Sequence, residues 1–137
     1  MQKIRLVKAL VRYDGKYLLL KKAEDKFFLE NIGKWESIGG VVEKKESSRI
    51  AIKREIKQET GLECKIVKQL PTITMKDKQY DSHCDVYLVN GISNNVKLSS
   101  EHSDYRWVNA EEVKNMPLVL YASLLLEFFN NPKKYLN

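Results

Sequence analysis

Residues 40–62 read GVVEKKESSRIAIKREIKQETGL. From residue 47 to residue 60 this stretch lacks glycine and proline and is rich in strong helix formers. Ser47 or Ser48 supplies a capping hydroxyl, and Gly61 follows as a stop signal. On the helix so defined, Glu55, Gln58 and Glu59 fall at i, i+3 and i+4 and point the same way. Ala51 continues that stripe without bulk, while Ile52 and Ile56 form an adjacent apolar stripe that anchors the helix. Two carboxylates and an amide oxygen held close make a nest for a hard cation, since Mg2+ and Mn2+ prefer oxygen ligands and bridge to phosphates. Arg54 is placed to orient a neighbouring carboxylate through two hydrogen bonds. By itself the run KREIKQE reads first as a solvated helix face, because Lys and Arg are at hand for i,i+4 pairing. The residues around it change that reading.

Working outward, residues 4–13 are rich in β-branched and aliphatic side chains, Asp14-Gly15 signals a tight turn, and residues 16–21 form a second strand. Residues 23–34 read as a polar, irregular connection, and 35–38 as a short strand cut by Gly39-Gly40. Strands are expected at 63–69, 73–75, 80–89 and 104–108. Asn109 and Glu112 have the spacing of a capping box that opens a short helix. Residues 119–129 read as one amphipathic C-terminal helix, with Pro132 opposing its extension. Strands and helices mix without regular βαβ alternation, which predicts an α+β fold on a mixed sheet. No repeat or linker divides residues 1–137, so one domain is expected.

The chain of 137 residues carries a net charge of +6, from 24 basic and 18 acidic side chains. The lysines are scattered, with no basic block and no aromatic interleaving, so nucleic-acid binding has little support. Cys64 and Cys84 form no CxxC pair and only two histidines are present, which disfavours a structural zinc site. The N-terminal segment alternates and has no long apolar run, so neither a signal peptide nor a membrane span is expected, and the protein reads as cytoplasmic.

The stretch 40–62 resembles the Nudix box, whose pattern is Gly, five residues, Glu, seven residues, then Arg-Glu-aliphatic-any-Glu-Glu-any-Gly-aliphatic. Gly40, Glu46, Arg54, Glu55, Ile56, Glu59, Gly61 and Leu62 all fit at that spacing. Gln58 stands where the pattern has Glu. The preceding GKWESIGG is similar to the GKWEFPGG of MutT-type members, and SSEHSDYRWV to a downstream family segment. The resemblance implies a mixed sheet sandwiched between helices (α/β/α) and metal-dependent hydrolysis of a nucleoside diphosphate linked to another moiety.

It further implies roles for individual residues. Glu55 and Glu59 would be metal ligands, with the Gly39 carbonyl and the Gln58 amide oxygen beside them. Arg54 would orient a carboxylate of the box, Glu46 would fix its loop, and Gly40 and Gly61 would shape it. Glu101 matches the extra acidic residue that many members supply from a distant loop, as ligand or base; the base is Glu55 or Glu101. Lys22, Trp35 and Tyr121 are the candidates for substrate contact, with His102 a candidate for touching phosphate or an exposed loop histidine. The expected cofactor is Mg2+, with Mn2+ able to substitute. The expected partner is a nucleotide, and many relatives are homodimers. A MutT-type triphosphate pyrophosphohydrolase is the leading expectation; dinucleoside polyphosphates, ADP-ribose-like compounds, an RNA cap or an inactive nucleotide-binding module are the alternatives. Because Gln58 brings no charge, a higher magnesium requirement is expected. Ile38 replaces a common Pro, and Lys45 replaces a common Gly, so that either the loop needs no positive φ at Lys45 or it tolerates strain there.

Overall fold

The computed structural model describes residues 1–26, 28–76 and 78–137. Two long strands, β1 (Gln2–Tyr13) and β2 (Lys16–Lys22), form a hairpin across Asp14-Gly15, both at positive φ. That is the backbone a two-residue hairpin turn requires, and it explains the Asp-Gly pair. The hairpin pairs only at its closed end, Arg12 with Tyr17 and Tyr13 with Lys16. Further along, β2 parts from β1 to pair with β3 (Trp35–Glu36), while β4 (Ile38–Val41) takes up residues 6–9 of β1. The sheet is thus forked at this point, and the fork is where the site is built. On its other edge β1 runs parallel to β6 (Tyr80–Gly91), which pairs in turn with β5 (Cys64–Lys76); β7 (His102–Val108) completes the sheet beside β2.

Alternation along the strands sends side chains to two cores. Val7, Ala9, Val11, Leu18, Leu20, Tyr87 and Val89 pack with Ala51, Ile52 and Ile56 of helix α1 (Ser48–Thr60). Leu10, Leu19, Val86 and Leu88 pack with Val113 of α2 (Ala110–Val113) and with Leu125, Phe128 and Phe129 near the C-terminus. Helices therefore cover the mixed sheet on both sides, as the α+β expectation and its α/β/α layering require. Ser47 caps α1 by accepting from the Ile50 N–H at 3.2 Å, and Gly61 closes it at φ 72°. The Asn109–Glu112 capping box of α2 forms in both directions.

Three expectations need correction. Residues 35–38 are not one strand ended by glycines; Gly39 and Gly40 lie inside β4, paired with Lys8 and Val7. The strands expected at 63–69 and 73–75 are one strand, β5, because a register shift between Leu70 and Ile73 absorbs Pro71, which has no N–H to give the ladder. The helix expected over 119–129 is broken into α3 (Leu120–Leu124) and α4 (Leu126–Asn130). The Leu125 N–H bonds to the Ala122 carbonyl three residues back, tightening the chain at the break. As expected, α4 stops before Pro132, which also opens the next short helix, α5 (Pro132–Tyr135); its preset φ suits a first helical position. Among the described residues no helix is long and apolar enough to cross a membrane.

Candidate active site

Helix α1 carries its functional groups on the side facing β4. Arg54 organises them. Its Nε and Nη2 donate to the two carboxylate oxygens of Glu46 at 2.8 and 2.9 Å, a bidentate fork that ties the loop before α1 to the helix. Glu46 in turn accepts from the Glu43 N–H at 3.0 Å. Held first by the guanidinium and second by that backbone donor, the Glu46 carboxyl is pulled down to about 2. The Arg54 Nη1 donates to Glu55 Oε1 at 2.9 Å and to Gln58 Oε1 at 3.3 Å. One guanidinium thus bonds two carboxylates, Glu46 and Glu55. Gln58 presents its oxygen to Arg54, and its substitution for Glu leaves that bond in place.

Glu55 lies against β4 at Gly40. A Cβ on Gly40 would fall 2.7 Å from Glu55 Oε1, so the absent side chain makes the room in which the carboxylate sits. Gly39 is needed for another close approach: a Cβ there would run into the Val7 carbonyl oxygen on β1. Glu59, one turn on from Glu55 on the same face of α1, is only 5% exposed. Burial first, then the charges of Glu36 and Glu55, push the Glu59 carboxyl up to about 9, although Lys8 pulls the other way. Its Oε2 is buried and has no hydrogen-bond partner. A buried carboxylate oxygen without a donor is costly, and two carboxylates pressed together repel unless a proton or cation intervenes. The pair has the chemistry of an oxygen-ligand cation site, so Glu55 and Glu59 fit a divalent ion. Among the described residues no third carboxylate, imidazole or thiol completes the group, so Glu101 does not join the pair in this conformation.

A second cluster fills the fork of the sheet. Glu36 on β3 accepts from Lys8 Nζ at 3.2 Å, lies 3.5 Å from Lys22 Nζ, and meets His102 Nε2 at 2.8 Å. Burial would raise its carboxyl, but Lys8 first and then His102 and Lys22 hold it well below the usual carboxylate range. Lys22, Glu36, Glu101 and His102 line a cleft of about 380 Å3 together with the acidic and basic side chains of Glu24, Asp25 and Lys26. Lys22 lines the cleft and also lies 3.4 Å from Asp25. Glu101 is exposed at the cleft rim, its backbone carbonyl accepting from the Ala23 N–H at 2.9 Å. His102 is buried against Glu36, which corrects the exposed-loop reading. It begins β7, and pairing with Lys22 turns it inward.

The substrate candidates divide. The Trp35 ring belongs to the core, with Lys21 Nζ 5.9 Å and the Arg106 guanidinium 6.0 Å from its centroid, so it is not an open platform for a base. Tyr121 is half-buried beside the same core. Sequence reasoning passed over Lys8 and Glu36. Glu36 stood within the quoted GKWE segment. Lys8 is a lysine between valine and alanine in an aliphatic strand, a position where a cation signals a buried partner.

Comparison with known proteins identifies the family. Residues 3–127 match the family model of the NUDIX domain. The nucleoside triphosphatase NudI of Escherichia coli O139:H28 is 31% identical over 129 residues, covering 86% of this chain and 90% of that protein. The crystal structure of a MutT protein from Methanosarcina mazei superposes with a TM-score of 0.82 at 31% identity, covering 97% of this chain and 96% of the other. The solution structure of the Escherichia coli ORF135 protein gives 0.79 at 26% identity, with 97% and 92% covered. The chain belongs to the Nudix hydrolase family.

Proposed function

We propose that this enzyme hydrolyses a nucleoside triphosphate to the monophosphate and pyrophosphate, using Mg2+ held by Glu55 and Glu59. The observation that carries the reading is the paired carboxylates, pressed together with a partnerless buried oxygen beside the glycine-lined gap at Gly40. The name of the relative NudI favours triphosphates among the substrates the family takes. The Gly39 carbonyl, the Gln58 amide oxygen and Glu101 would be the further ligands of the ion. The bound ion supplies neutralised phosphate charge and a more acidic water. Arg54 keeps Glu55 oriented, and Glu55 or Glu101 accepts the proton of the attacking water. Lys22 provides a cation for phosphate oxygens in the cleft, and Glu36 sets its position. Tyr121 is assigned to the base end of the substrate. The enzyme works in the cytoplasm.

The test is a substrate panel with Mg2+ in which products are separated by chromatography. Monophosphate with pyrophosphate from a triphosphate supports the reading. Preferred cleavage of dinucleoside polyphosphates or ADP-ribose-like compounds would replace the substrate assignment, and binding without turnover would make the chain a nucleotide sensor.

A further inference from the structure

His102 is buried where β7 begins, and a fault in the strand pairing puts it there. β7 meets β2 with a register shift between Lys21 and Lys22: Asp104 stands opposite Lys21, Ser103 is skipped, and His102 stands opposite Lys22. Leu18 and Leu20 of β2 belong to the core under α1, so Lys22 lies on that face, and so does Glu36, the partner of Leu20. In unbroken register Ser103 would hold the place opposite Lys22; the bulge gives it to His102. The ring then meets Glu36 Oε2 at 2.8 Å. Glu36 is ionised and can only accept, so the His102 Nε2 carries the proton. The other ring nitrogen, Nδ1, is buried without a hydrogen-bond partner among the described residues, so Glu36 is the polar anchor of the ring. Lys8 and Lys22 hold Glu36 in turn. Glu101, the preceding residue, is tied through its backbone: its carbonyl accepts from the Ala23 N–H at 2.9 Å, and its N–H donates to Ser99 Oγ at 3.4 Å.

We propose that His102 is a positioning residue for Glu101: its bond to Glu36 pins the start of β7 and so sets where the Glu101 carboxylate stands at the cleft rim. The inference rests on the reading of Glu101 as metal ligand or base. An acidic residue on a polar turn samples many positions, and ordering it when substrate arrives costs entropy. A turn pinned by a buried imidazole one residue on, and by β2 through Ala23, carries that order in the fold beforehand. Stability alone does not call for the arrangement, because apolar side chains of similar volume fill such a space as well as a buried charged cluster does. A histidine that only supported the fold would lower the melting temperature without singling out Glu101. One that acted by holding Glu36 against Lys22 would couple to Lys22 instead.

The experiment joins double-mutant kinetics to amide hydrogen exchange on the full chain. Variants are assayed with Mg2+ on whichever of ATP, GTP, CTP, diadenosine tetraphosphate and ADP-ribose the wild type cleaves fastest. His102→Ala should lower kcat about tenfold or more with a smaller change in KM, and adding it to Glu101→Gln should cost nothing further. Combined with Lys22→Gln, the losses should multiply. Without ligand, the Ala23 amide should exchange about tenfold or more faster in His102→Ala, while the Ala9 amide, on a strand paired on both sides, keeps its protection. His102→Gln, which can donate to Glu36 in place of Nε2, should restore most of the rate and the Ala23 protection. Should the alanine variant not fold, His102→Asn, whose amide falls short of Glu36, serves the same comparison. Losses that multiply with Glu101→Gln, or an unchanged Ala23 amide, overturn the role of His102 and leave Glu101 standing. A Glu101→Gln variant with wild-type turnover, or a wild type that cleaves none of these nucleotides, overturns the reading of Glu101 and the inference together.

Discussion

Gly39 and Gly40 are neighbours, and each lacks a side chain for a different reason. At Gly40 the space is taken by the Glu55 carboxylate. Gly40→Ala should displace that carboxylate while β4 still pairs with β1; the expected result is a turnover loss of about 100-fold or more with a small change in melting temperature, read by steady-state kinetics beside a thermal melt. At Gly39 the space is taken by backbone, the Val7 carbonyl, which cannot swing away. Gly39→Ala should therefore cost stability first, about 1–3 kcal/mol as for overpacking, measured by denaturant unfolding. Equal effects of the two substitutions on folding would contradict the separate roles. Both glycines and Glu55 stood out in the sequence, but not the contact between Gly40 and Glu55, because it joins a strand to a helix. Lys8 was visible only as an unusual cation in an aliphatic strand; its partners are Glu36 of β3 and the Ser37 carbonyl, and only the fork in the sheet brings them to it.

Among the elements, α1 was legible because its signals agree. Helix formers fill the interior, Ser47 caps it, and Gly61 adopts the left-handed conformation that ends it. The C-terminal segment was not, since apolar residues crowd from Leu118 to Phe129 and no breaker marks the interruption at Leu125. The loop before α1 settles the alternative left open at Lys45: it has φ 66°, the left-handed conformation that the family's glycine adopts freely. A lysine there is strained, and relief on replacement outweighs the extra freedom glycine gains in the unfolded chain. Lys45→Gly should stabilise the protein by about 1 kcal/mol, visible as a higher melting temperature. A lower one would mean that the lysine side chain makes a compensating contact.

For the whole molecule, stability and metal binding are linked through Glu59. In the folded chain without metal, burial and neighbouring carboxylates keep the Glu59 proton up to about pH 9, against 4.5 for an ordinary glutamate. Its folded pKa is raised, so the stability it contributes is fully present below about 4.5 and is lost as pH rises toward 9. Melting temperatures in chelator should therefore fall across this window by more than those of Glu59→Gln. A divalent ion replaces the proton, so saturating Mg2+ should stabilise the protein more at pH 8 than at pH 5 and release protons to the medium on binding. Absence of any proton release at pH 7 would place the ion elsewhere. The net charge of +6 gave no hint of this acidic site, because the lysines that dominate the count are spread over the surface while the decisive carboxylates are few, Glu59 buried and Glu55 half-buried.

The central claim is that Glu55 and Glu59 together grip a divalent ion beside the phosphates of a nucleotide. The most direct measurement is an anomalous difference map from crystals soaked in Mn2+ with a non-hydrolysable triphosphate. A peak between the Glu55 and Glu59 carboxylates, in contact with phosphate oxygens, is the predicted result. A nucleotide bound with no peak there, or with the metal held by other residues, would contradict the account.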